Sequence, residues 1–536
     1  MPISPDRPWW KTGVIYHIYV RSFADSNGDG IGDLPGLIGR LDHFGEDGLA
    51  VDAIWLSPIF PSPDTDFGYD IADYCAIDPR YGSLADLDRL IQEAGRRGIR
   101  VLLDLAINHT SSRHPWFLES RSAASNPKRD WYVWRPARNG RPPNNWQSVF
   151  GGRAWTWDAA TRQYYHHLFL PEQPDLNWRN PEVRRALMDV VRFWLDRGVH
   201  GFRLDVFNAW YEHPEYPDNP PRLGLRAFDR QAHIHDIDQP EMFEALAELR
   251  TILDSHPECM AVGELFGEDP YHAAHYCGDD KLHMVFNFEF TRSPWKPAAL
   301  LRRVLRWEEA LGETGWPCYV LGNHDLPRLA SRVGGGDPDA LAKLGAALLL
   351  TLRGTPFIYY GEEIGMADIR LSRDQILDPP GRRYWPFYEG RDGCRSPMQW
   401  DGSTNAGFST GKPWLPLHPG HPHRNVHCQS RDPASPYSFY RSLLRLRRNS
   451  PALLRGDFHP LTIHPRGGLA YLRRAAGEQA LIVFNFSNRE LGLTFDEPLP
   501  EATWRQVLSS ASNPSARVLE DRVCLGPLEA AIFLRA

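Results

Sequence analysis

The chain of 536 residues is too long for a single hydrophobic core, which predicts two or three domains. Its 60 lysines and arginines against 67 aspartates and glutamates give a formal net charge of −7, with both signs spread along the sequence. This balance argues against a nucleic acid or an anionic membrane surface as a partner. The longest apolar run, 344–352, is too short to span a bilayer, so we expect no membrane partner.

The cysteines are scattered and odd in number, without a C-x-x-C pair, at positions 75, 259, 277, 318, 394, 428 and 524. This pattern argues against a disulfide framework or a zinc site and favours a reducing compartment. The first ten residues lack the apolar core of a signal peptide. The sequence therefore predicts a cytoplasmic protein, present as a monomer or a small homo-oligomer.

Short apolar strands alternate with amphipathic helices over most of the chain. In chain order, strands are predicted at 14–19, 53–56, 100–104, 201–206, 260–263, 284–287, 319–321 and 356–360. Helices are predicted at 34–44, 83–97, 181–197, 241–254, 296–312, 340–352 and 437–447. Eight strands that alternate with helices are typical of an α/β fold, the (β/α)8 TIM barrel.

Two stretches depart from this alternation. Residues 109–177 are rich in proline, asparagine, arginine and aromatic residues without a helical period, which predicts a domain B inserted after the third strand. The last part of the chain has short apolar runs separated by turn signals, which predicts an all-β sandwich. The predicted division is a barrel made of 1–108 and 178–450, domain B at 109–177, and a C-terminal domain at 451–536.

The fourth predicted strand, 201–206, has two chemically different faces. Side chains alternate along a strand, so Phe202 and Leu204 share one face, whereas Arg203 and Asp205 share the other. Because helices would cover the apolar face, the charged face would look into the barrel. Taken alone, this strand has a second explanation, an ordinary buried pair of arginine and aspartate.

Polar side chains follow other predicted strands as well: Asp104, Asn108, His109, Glu264, Asn323, His324 and Asp325. The chemistry of such a barrel lies at the carboxyl ends of its strands, so we expect these side chains to meet at one mouth. Three carboxylates from separate strands suit the cleavage of a sugar acetal, where one carboxylate attacks and a carboxylic acid protonates the leaving oxygen. Arg203 would hold Asp205 ionised, which makes Asp205 the candidate nucleophile and Glu264 the candidate acid.

Four segments, 104–109, 201–205, 263–264 and 322–325, resemble in order and spacing the signature regions of the α-amylase family of glycoside hydrolases (glycoside hydrolase family 13). They read Asp-Leu-Ala-Ile-Asn-His, Gly-Phe-Arg-Leu-Asp, Gly-Glu and Gly-Asn-His-Asp. Segments 173–177 and 390–400 resemble motifs of its oligo-1,6-glucosidase and α-glucosidase branch. The resemblance spans essentially the whole chain and implies the barrel, domain B and the C-terminal sandwich.

The resemblance also implies a role for individual residues. Asp205 would be the nucleophile, Glu264 the acid and base, and Asp325 the carboxylate that grips sugar hydroxyls. The implied substrate-binding residues are Asp66, Tyr69, His109, Phe150, Phe169, Arg203, His324 and Arg395. Arg391 is the alternative to Arg395, and a purely structural role is the alternative for the two histidines. Closure of the non-reducing end by Asp66, Tyr69 and Arg395 would make the site a pocket for exo action.

The segment 25–33 has oxygen-bearing side chains at alternate positions and glycines that permit a tight turn, as in loops that wrap a hard cation. Its twelfth position is Gly36, where an EF-hand has a bidentate glutamate. By resemblance to the calcium loop of the branch, it is predicted to hold a structural Ca²⁺, with Mg²⁺ as the alternative ion. The predicted ligands are Asp25, Asn27, Asp29, the carbonyl of Ile31, and Asp33. A plain Asx-turn is the alternative.

The sequence thus predicts a retaining, exo-acting α-glucosidase that releases α-glucose from short α-glucosides, with transfer to an acceptor sugar as a side reaction. Val206, directly after the nucleophile, gives a slight preference for α-1,6 over α-1,4 linkages within this branch. A trehalose synthase-type isomerase, or another sucrose- or trehalose-acting member, is the nearer alternative. A non-catalytic relative is the more distant one. His166, His167, His421 and His423 lack supporting carboxylates nearby and are predicted to be surface or packing residues.

Overall fold

The structure, a computed structural model, describes residues 8–267, 269–497, 499, 504–511, 518–519 and 522–535. The first seven residues, which belong to the segment expected to lack a signal-peptide core, lie outside the described part. The strands are β1 Ile15–Ile18, β2 Ala53–Leu56, β3 Arg100–Leu105, β4 Trp134–Arg135, β5 Trp155–Asp158, β6 Gln163–His166, β7 Gly201–Leu204, β8 Met260–Gly263, β9 Met284–Val285, β10 Cys318–Val320, β11 Thr355–Tyr359, β12 Asp457–Pro460, β13 Ile463–His464, β14 Gly468–Ala475, β15 Glu478–Asn485, β16 Leu491–Phe495, β17 Arg505–Ser509, β18 Val518–Leu519, β19 Arg522–Leu525 and β20 Ala530–Arg535.

The helices are α1 Trp9–Thr12, α2 Leu34–Ile38, α3 Leu84–Arg96, α4 Pro115–Ser122, α5 Pro181–Asp196, α6 Met242–Asp254, α7 Pro270–Ala274, α8 Phe288–Thr291, α9 Pro297–Leu311, α10 Leu329–Val333, α11 Pro338–Thr351, α12 Pro379–Tyr384, α13 Val426–Gln429, α14 Pro436–Asn449 and α15 Pro451–Arg455. One predicted helix differs: 34–44 is split into α2 and a separate 3₁₀ turn at 41–43, because α2 ends at Gly39. Among the described residues, no helix combines the length and apolar character needed to cross a membrane.

The parallel strands of the first sheet follow one another in the order β10-β11-β1-β2-β3-β7-β8-β9. The thiol of Cys318 on β10 donates to the carbonyl of Val285 on β9 at 3.2 Å, so the two end strands are also neighbours. Consecutive parallel strands joined by helices form a right-handed barrel, and their carboxyl ends share one edge.

Two layers of apolar side chains line this sheet. Trp55, Leu102, Val262 and Phe357 belong to one buried cluster, contributed by alternating positions of the strands. Phe202 and Leu204 of β7 belong to the larger cluster that includes the surrounding helices. As the alternation predicts, the arginine between them points away from the helices and towards the carboxylates of neighbouring strands.

The two departures from the barrel pattern form sheets of their own. After β3, the chain builds helix α4 and an antiparallel sheet of order β4-β6-β5. After α15, the sheets β12-β14-β15-β20-β17 and β13-β16-β19-β18 enclose a separate apolar core that includes Leu472, Leu481, Leu493 and Phe533. The predicted fold class, a TIM barrel with a C-terminal all-β domain, is confirmed. The residue boundaries between the domains stay predictions.

A buried arginine joins the barrel to the segment that leads into the C-terminal sheets. Arg447 on α14 is 1% exposed, and its guanidinium donates to the carbonyls of Leu350 and Gly354, both at 2.8 Å, and of Leu453 at 3.3 Å. Burial lowers the pKa of Arg447 to about 10. Its hydrogen bonds to carbonyl groups at the end of α11 therefore satisfy backbone acceptors that would otherwise be buried without a donor.

We expect Arg447→Met to lower the free energy of unfolding by about 2 to 4 kcal/mol, because several buried carbonyls lose their donor. Urea unfolding followed by fluorescence measures this change. Arg448→Met is the matched control, since Arg448 is exposed and forms a surface ion pair with Asp52 at 3.1 Å. Its effect should stay below about 1 kcal/mol. Equal effects of the two substitutions would contradict the role of Arg447.

Candidate active site

The carboxyl ends of the neighbouring strands β3, β7 and β8 position two candidate catalytic groups, Asp205 and Glu264. The ladder continues beyond the strand ends, since the Asp205 N–H donates to Leu105 O at 3.1 Å and the Glu264 N–H donates to Leu204 O at 2.9 Å. Both carboxylates therefore stand on backbone held by the sheet. Together with Asp325, they line a cavity of about 930 Å³. Five predicted substrate-binding residues also line it: Asp66, Tyr69, His109, Phe150 and Phe169.

Arg203 lies behind the cavity wall and contacts three carboxylates. Its Nη1 donates to Asp104 Oδ1 and to Asp205 Oδ1, both at 2.7 Å, and its Nη2 forms an ion pair with Glu264. Asp104 and Arg203 are register partners on β3 and β7. The arginine is 1% exposed. One cation therefore fixes the relative positions of the two carboxylates predicted to act on the substrate.

Burial and Arg203 act in opposite directions on these acids. Burial raises the pKa of Asp205, and the charge of Arg203 limits the rise. Burial also raises the pKa of Asp104, to about 7, against the same arginine. Arg203 alone therefore does not set the ionisation of Asp205, because the desolvation of this buried carboxylate, 8% exposed, opposes the attraction.

Asp325 has a different electrostatic environment. Its Oδ1 accepts from Arg395 at 2.9 Å and from Arg391 at 3.2 Å, and its Oδ2 lies 3.2 Å from Nε2 of His324. Burial raises the pKa of Asp325, but these three neighbours outweigh it and hold the pKa well below its usual range. Asp325 is therefore ionised across the physiological pH range and can accept hydrogen bonds from hydroxyl groups.

A hydrogen-bonded network joins Asp66 to Asp325. Arg391 donates to Asp66 at 2.7 Å, to Asp378 at 2.7 Å and to Asp325 at 3.2 Å. Gln173 Nε2 donates to the other oxygen of Asp66 at 3.2 Å. Burial raises the pKa of Asp66 to about 6, although Arg391 opposes the shift. These side chains form a continuous polar wall on which hydroxyl groups of one sugar can be bound.

Tyr69 and Phe169 each contact one of the two predicted substrate-binding histidines. The Tyr69 hydroxyl lies 2.9 Å from Asp104 Oδ2 and 2.7 Å from Nε2 of His324. His109 lies 5.2 Å from the ring of Phe169, and burial lowers the pKa of this histidine. Both histidines are fully buried, but His109 is among the residues that line the cavity, whereas His324 is not. His324 therefore reaches the site through its contacts with Tyr69 and Asp325.

Arg391 faces the cavity. Arg395, the arginine predicted to bind the substrate, is not among the lining residues. Arg395 is 1% exposed and donates to the carbonyl of His324 at 2.7 Å as well as to Asp325. The two arginines are four positions apart around a short 3₁₀ turn, so their spacing alone cannot tell which one faces inward. Asp378 binds Arg391 and so helps to hold its guanidinium at the cavity. The sequence assigned no role to Asp378, because it precedes two prolines and resembles an ordinary helix cap.

The predicted calcium loop is a series of Asx-type turns. Side-chain oxygens of Asp25, Asn27 and Asp29 each accept from the N–H group two residues later. Asp33 accepts from Ser26 and caps α2. Burial raises the pKa of Asp33, the shift that a bound cation would reverse. The donor set of carboxylate, amide and carbonyl oxygens fits a hard cation chemically.

The described part of the chain holds one group of three potential metal-ligand side chains within 4.8 Å, and it lies elsewhere, at His166, Asp175 and Glu212. His166 Nδ1 is 2.8 Å from Asp175 Oδ2. Burial lowers the pKa of His166, but the two carboxylates outweigh it and raise the pKa to about 10. The prediction that His166 lacks carboxylate neighbours is wrong, because Asp175, nine positions away, and Glu212, on the connection after β7, fold against it. The imidazolium balances part of their negative charge.

The barrel, its polar mouth and its paired carboxylates define a glycoside hydrolase. Residues 17–456 match the family model described as alpha amylase, catalytic domain, and residues 464–525 match alpha amylase, C-terminal all-beta domain. The chain belongs to the α-amylase family of glycoside hydrolases.

Curated relatives agree with this family. A probable alpha-glucosidase of Rhizobium meliloti (strain 1021) is 45% identical over 93% of each chain. An oligo-1,6-glucosidase of Parageobacillus thermoglucosidasius is 38% identical over 98% of this chain and 99% of its own.

Solved structures of similar proteins cover the same length. The alpha-glucosyl transfer enzyme XgtA has a TM-score of 0.93 and 42% identity, with 99% of this chain and 100% of that chain covered. The trehalulose synthase MutB from Pseudomonas mesoacidophila MX-45 has a TM-score of 0.90 and 36% identity at the same coverage. The fold and the family are therefore established over nearly the whole chain.

We expect Arg203→Met to lower kcat for an aryl α-glucoside at least about 100-fold and to move the acid limb of the pH profile to higher pH. Arg203 opposes the effect of burial on Asp205. Without it, the pKa of Asp205 rises further, and the reactive anion forms only at higher pH.

The pH dependence of kcat tests this expectation. Arg100→Met is the control, because Arg100 begins β3, at the opposite end of the barrel, and pairs with Glu258 at the surface. Its pH profile should match that of the unchanged protein. An acid limb that stays in place in Arg203→Met would contradict the electrostatic role of Arg203.

Proposed function

We propose that this glycoside hydrolase is a retaining, exo-acting α-glucosidase that removes one α-glucose from the non-reducing end of short α-glucosides. The observation that carries the proposal is the arrangement around one cavity: Asp205 and Glu264 share Arg203, and Asp66, Arg391 and Asp325 form a polar wall beside them. Such a wall suits the hydroxyl groups of a single glucose ring. The names of the similar proteins support the same class of substrate.

In the proposed first step, a carboxylate oxygen of Asp205 attacks C1 of the glucose and forms a bond to it. The bond between C1 and the leaving oxygen breaks, and Glu264 gives its proton to that oxygen. In the second step, Glu264 takes a proton from water, and the water oxygen replaces Asp205 at C1. Two inversions at C1 release α-glucose. A sugar hydroxyl in place of water would give transglucosylation.

For the linkage we propose a preference for α-1,6 over α-1,4. The support is the name oligo-1,6-glucosidase among the relatives, together with valine at position 206. Val206 lines the cavity next to the nucleophile, in a left-handed conformation with φ of 32°. A β-branched residue in this conformation costs about 1 to 3 kcal/mol, so the surrounding structure must hold the backbone there.

Isomerisation is the second candidate function, because MutB is named a trehalulose synthase. A cavity of about 930 Å³ leaves room for a second sugar beside the first. Retention of that sugar would allow transfer back to another of its hydroxyl groups. The two functions share the first step and differ in whether water or the retained sugar accepts the glucosyl group.

A panel of isomaltose, maltose, sucrose and trehalose, with product chromatography, tests the proposal. We expect isomaltose to be cleaved with the highest kcat/KM and free glucose to be the main product. Proton NMR in the first minutes should show the α anomer. Asp205→Asn should lower kcat by about 10⁴-fold or more, because the amide cannot form the covalent intermediate.

Three results would contradict the proposal. The β anomer as first product would exclude retention. An isomeric disaccharide with little free glucose would favour isomerisation. Near-normal activity of Asp205→Asn would remove the nucleophile assignment. Asp189→Asn, on the exposed face of α5, provides the same chemical change away from the cavity and should leave activity unchanged.

We also propose that the loop 25–33 binds one structural Ca²⁺, or Mg²⁺, through Asp25, Asn27, Asp29, the Ile31 carbonyl and Asp33. The support is the oxygen-rich donor set of the loop, which includes the buried carboxylate of Asp33. The ion would tie together the start of α2 and the segment around Ser409, whose hydroxyl donates to Asp25. Its role is in stability and not in the chemical step.

Metal analysis of the purified protein should find one divalent ion per chain. Chelation by EDTA should lower the thermal midpoint by several degrees, and Ca²⁺ should restore it. Asp29→Ala should lower the midpoint and remove its response to EDTA. Absence of a stoichiometric ion, with a midpoint insensitive to EDTA, would leave the loop as a set of Asx-turns.

A further inference from the structure

The cavity has a second set of polar residues that shares no member with the network of Asp66 and Arg391. Its central member, Asp238, lies on the long connection between β7 and α6 and lines the cavity. The Asp238 side chain is 29% exposed, and its backbone has a φ of 60°. This carboxylate lies in the same cavity as the candidate acid and is not used by the proposed two-step reaction.

Two hydrogen-bond donors, Asn208 and Tyr276, and one ion-pair partner, His272, hold this carboxylate through one of its two oxygens. Oδ1 of Asp238 is 2.9 Å from Asn208 Nδ2, 2.7 Å from the Tyr276 hydroxyl and 2.9 Å from Nε2 of His272. Among the described residues, no partner binds Oδ2. The two hydrogen bonds and the ion pair on Oδ1 fix the orientation of the group, so a ligand that binds Oδ2 causes little further loss of side-chain entropy.

Asn208 couples Asp238 to the segment that carries Glu264. This amide is fully buried, and it both donates to the Phe266 carbonyl at 3.1 Å and accepts from the Phe266 N–H at 2.9 Å. The Asp238 N–H donates to the Asn208 carbonyl at 2.8 Å. Phe266 is two residues after Glu264. The carboxylate of Asp238 is therefore held in a constant relation to the group that protonates the leaving oxygen.

Apolar side chains surround the same part of the cavity. Val206, Phe228, Ile237 and Phe266 belong to one cluster, and the rings of Phe228 and Phe266 are 6.0 Å apart. All four line the cavity. A sugar ring has an apolar face of C–H groups and an edge of hydroxyl groups. An apolar wall beside one fixed acceptor matches that chemistry.

We propose that Asp238 is a specificity-determining residue of the leaving-group side, where its Oδ2 accepts a hydrogen bond from a hydroxyl of the second sugar. The proposal rests on the proposed α-glucosidase function and names its aglycone: a hydroxylated ring and not an aryl or alkyl alcohol. A charge-assisted hydrogen bond to a positioned carboxylate discriminates strongly, because a leaving group without the hydroxyl leaves the acceptor unpaired.

Asp238→Asn tests the proposal through a change of one atom. Asn208 and Tyr276 donate to Oδ1 and require an oxygen in its place, so the amide must present its NH₂ group where Oδ2 stood. An acceptor becomes a donor while size is conserved. The measured quantity is kcat/KM for isomaltose, or for maltose if that is the better substrate, divided by kcat/KM for 4-nitrophenyl α-glucoside. We expect this ratio to fall at least ten-fold.

Tyr276→Phe is the second variant. It keeps the carboxylate of Asp238 and removes one of the two hydrogen-bond donors that orient it, so the ratio should fall in the same direction by about two- to five-fold. Asp279→Asn is the matched control, because it removes the same charge from an exposed position outside the cavity. Its ratio should equal that of the unchanged protein.

The outcomes separate this proposal from the proposed function. If the unchanged protein cleaves neither the disaccharides nor the aryl glucoside, the proposed function fails. If the unchanged protein cleaves both, and the ratio stays within two-fold in Asp238→Asn and Tyr276→Phe, the role of Asp238 is overturned. The proposal is supported if Asp238→Asn lowers the ratio ten-fold and Asp238→Glu, which keeps a carboxylate, lowers it less.

Discussion

The buried guanidinium of Arg203 is the interaction on which the site depends. Two carboxylates that act on one anomeric carbon must lie close together, and like charges at such a distance resist ionisation in a poorly solvated barrel. Arg203 contacts Asp104, Asp205 and Glu264 from behind the cavity wall. Removing a cation from water is unfavourable unless its partners compensate, so the arginine and its carboxylates stabilise one another only as a complete set.

The carboxylates of the site differ because their surroundings differ. Asp325, beside Arg391 and Arg395, has a pKa below its usual range, whereas burial raises that of Asp66 to about 6 and that of Asp104 to about 7. The residue types are the same, and only the number of adjacent cations and the desolvation change. In the proposed mechanism, sugar binding and bond cleavage would therefore take place in one cavity that holds acids of unequal strength.

The barrel strands and the connections between them have different roles in the site. The strands hold the reacting carboxylates on backbone with continuous hydrogen bonding, and the connections contribute the surfaces that meet the rest of the substrate. Asn208 links two of these connections, since it bonds both Asp238 and Phe266. The proposed selectivity of Asp238 for the leaving group would therefore be coupled, through Asn208, to the segment that carries Glu264.

The sequence by itself determined the barrel, the C-terminal sheets and the strand ends that carry Asp205, Glu264 and Asp325, because periodicity and motif spacing are local properties of the chain. Tertiary structure alone decided that Arg391 and not Arg395 faces the cavity, and that His166 pairs with carboxylates. Asp66 and Arg391 are 325 positions apart, and Asn208 and Phe266 are 58 apart. No local pattern encodes such pairings, since they depend on how the connections pack over the barrel and on which charges burial leaves without water.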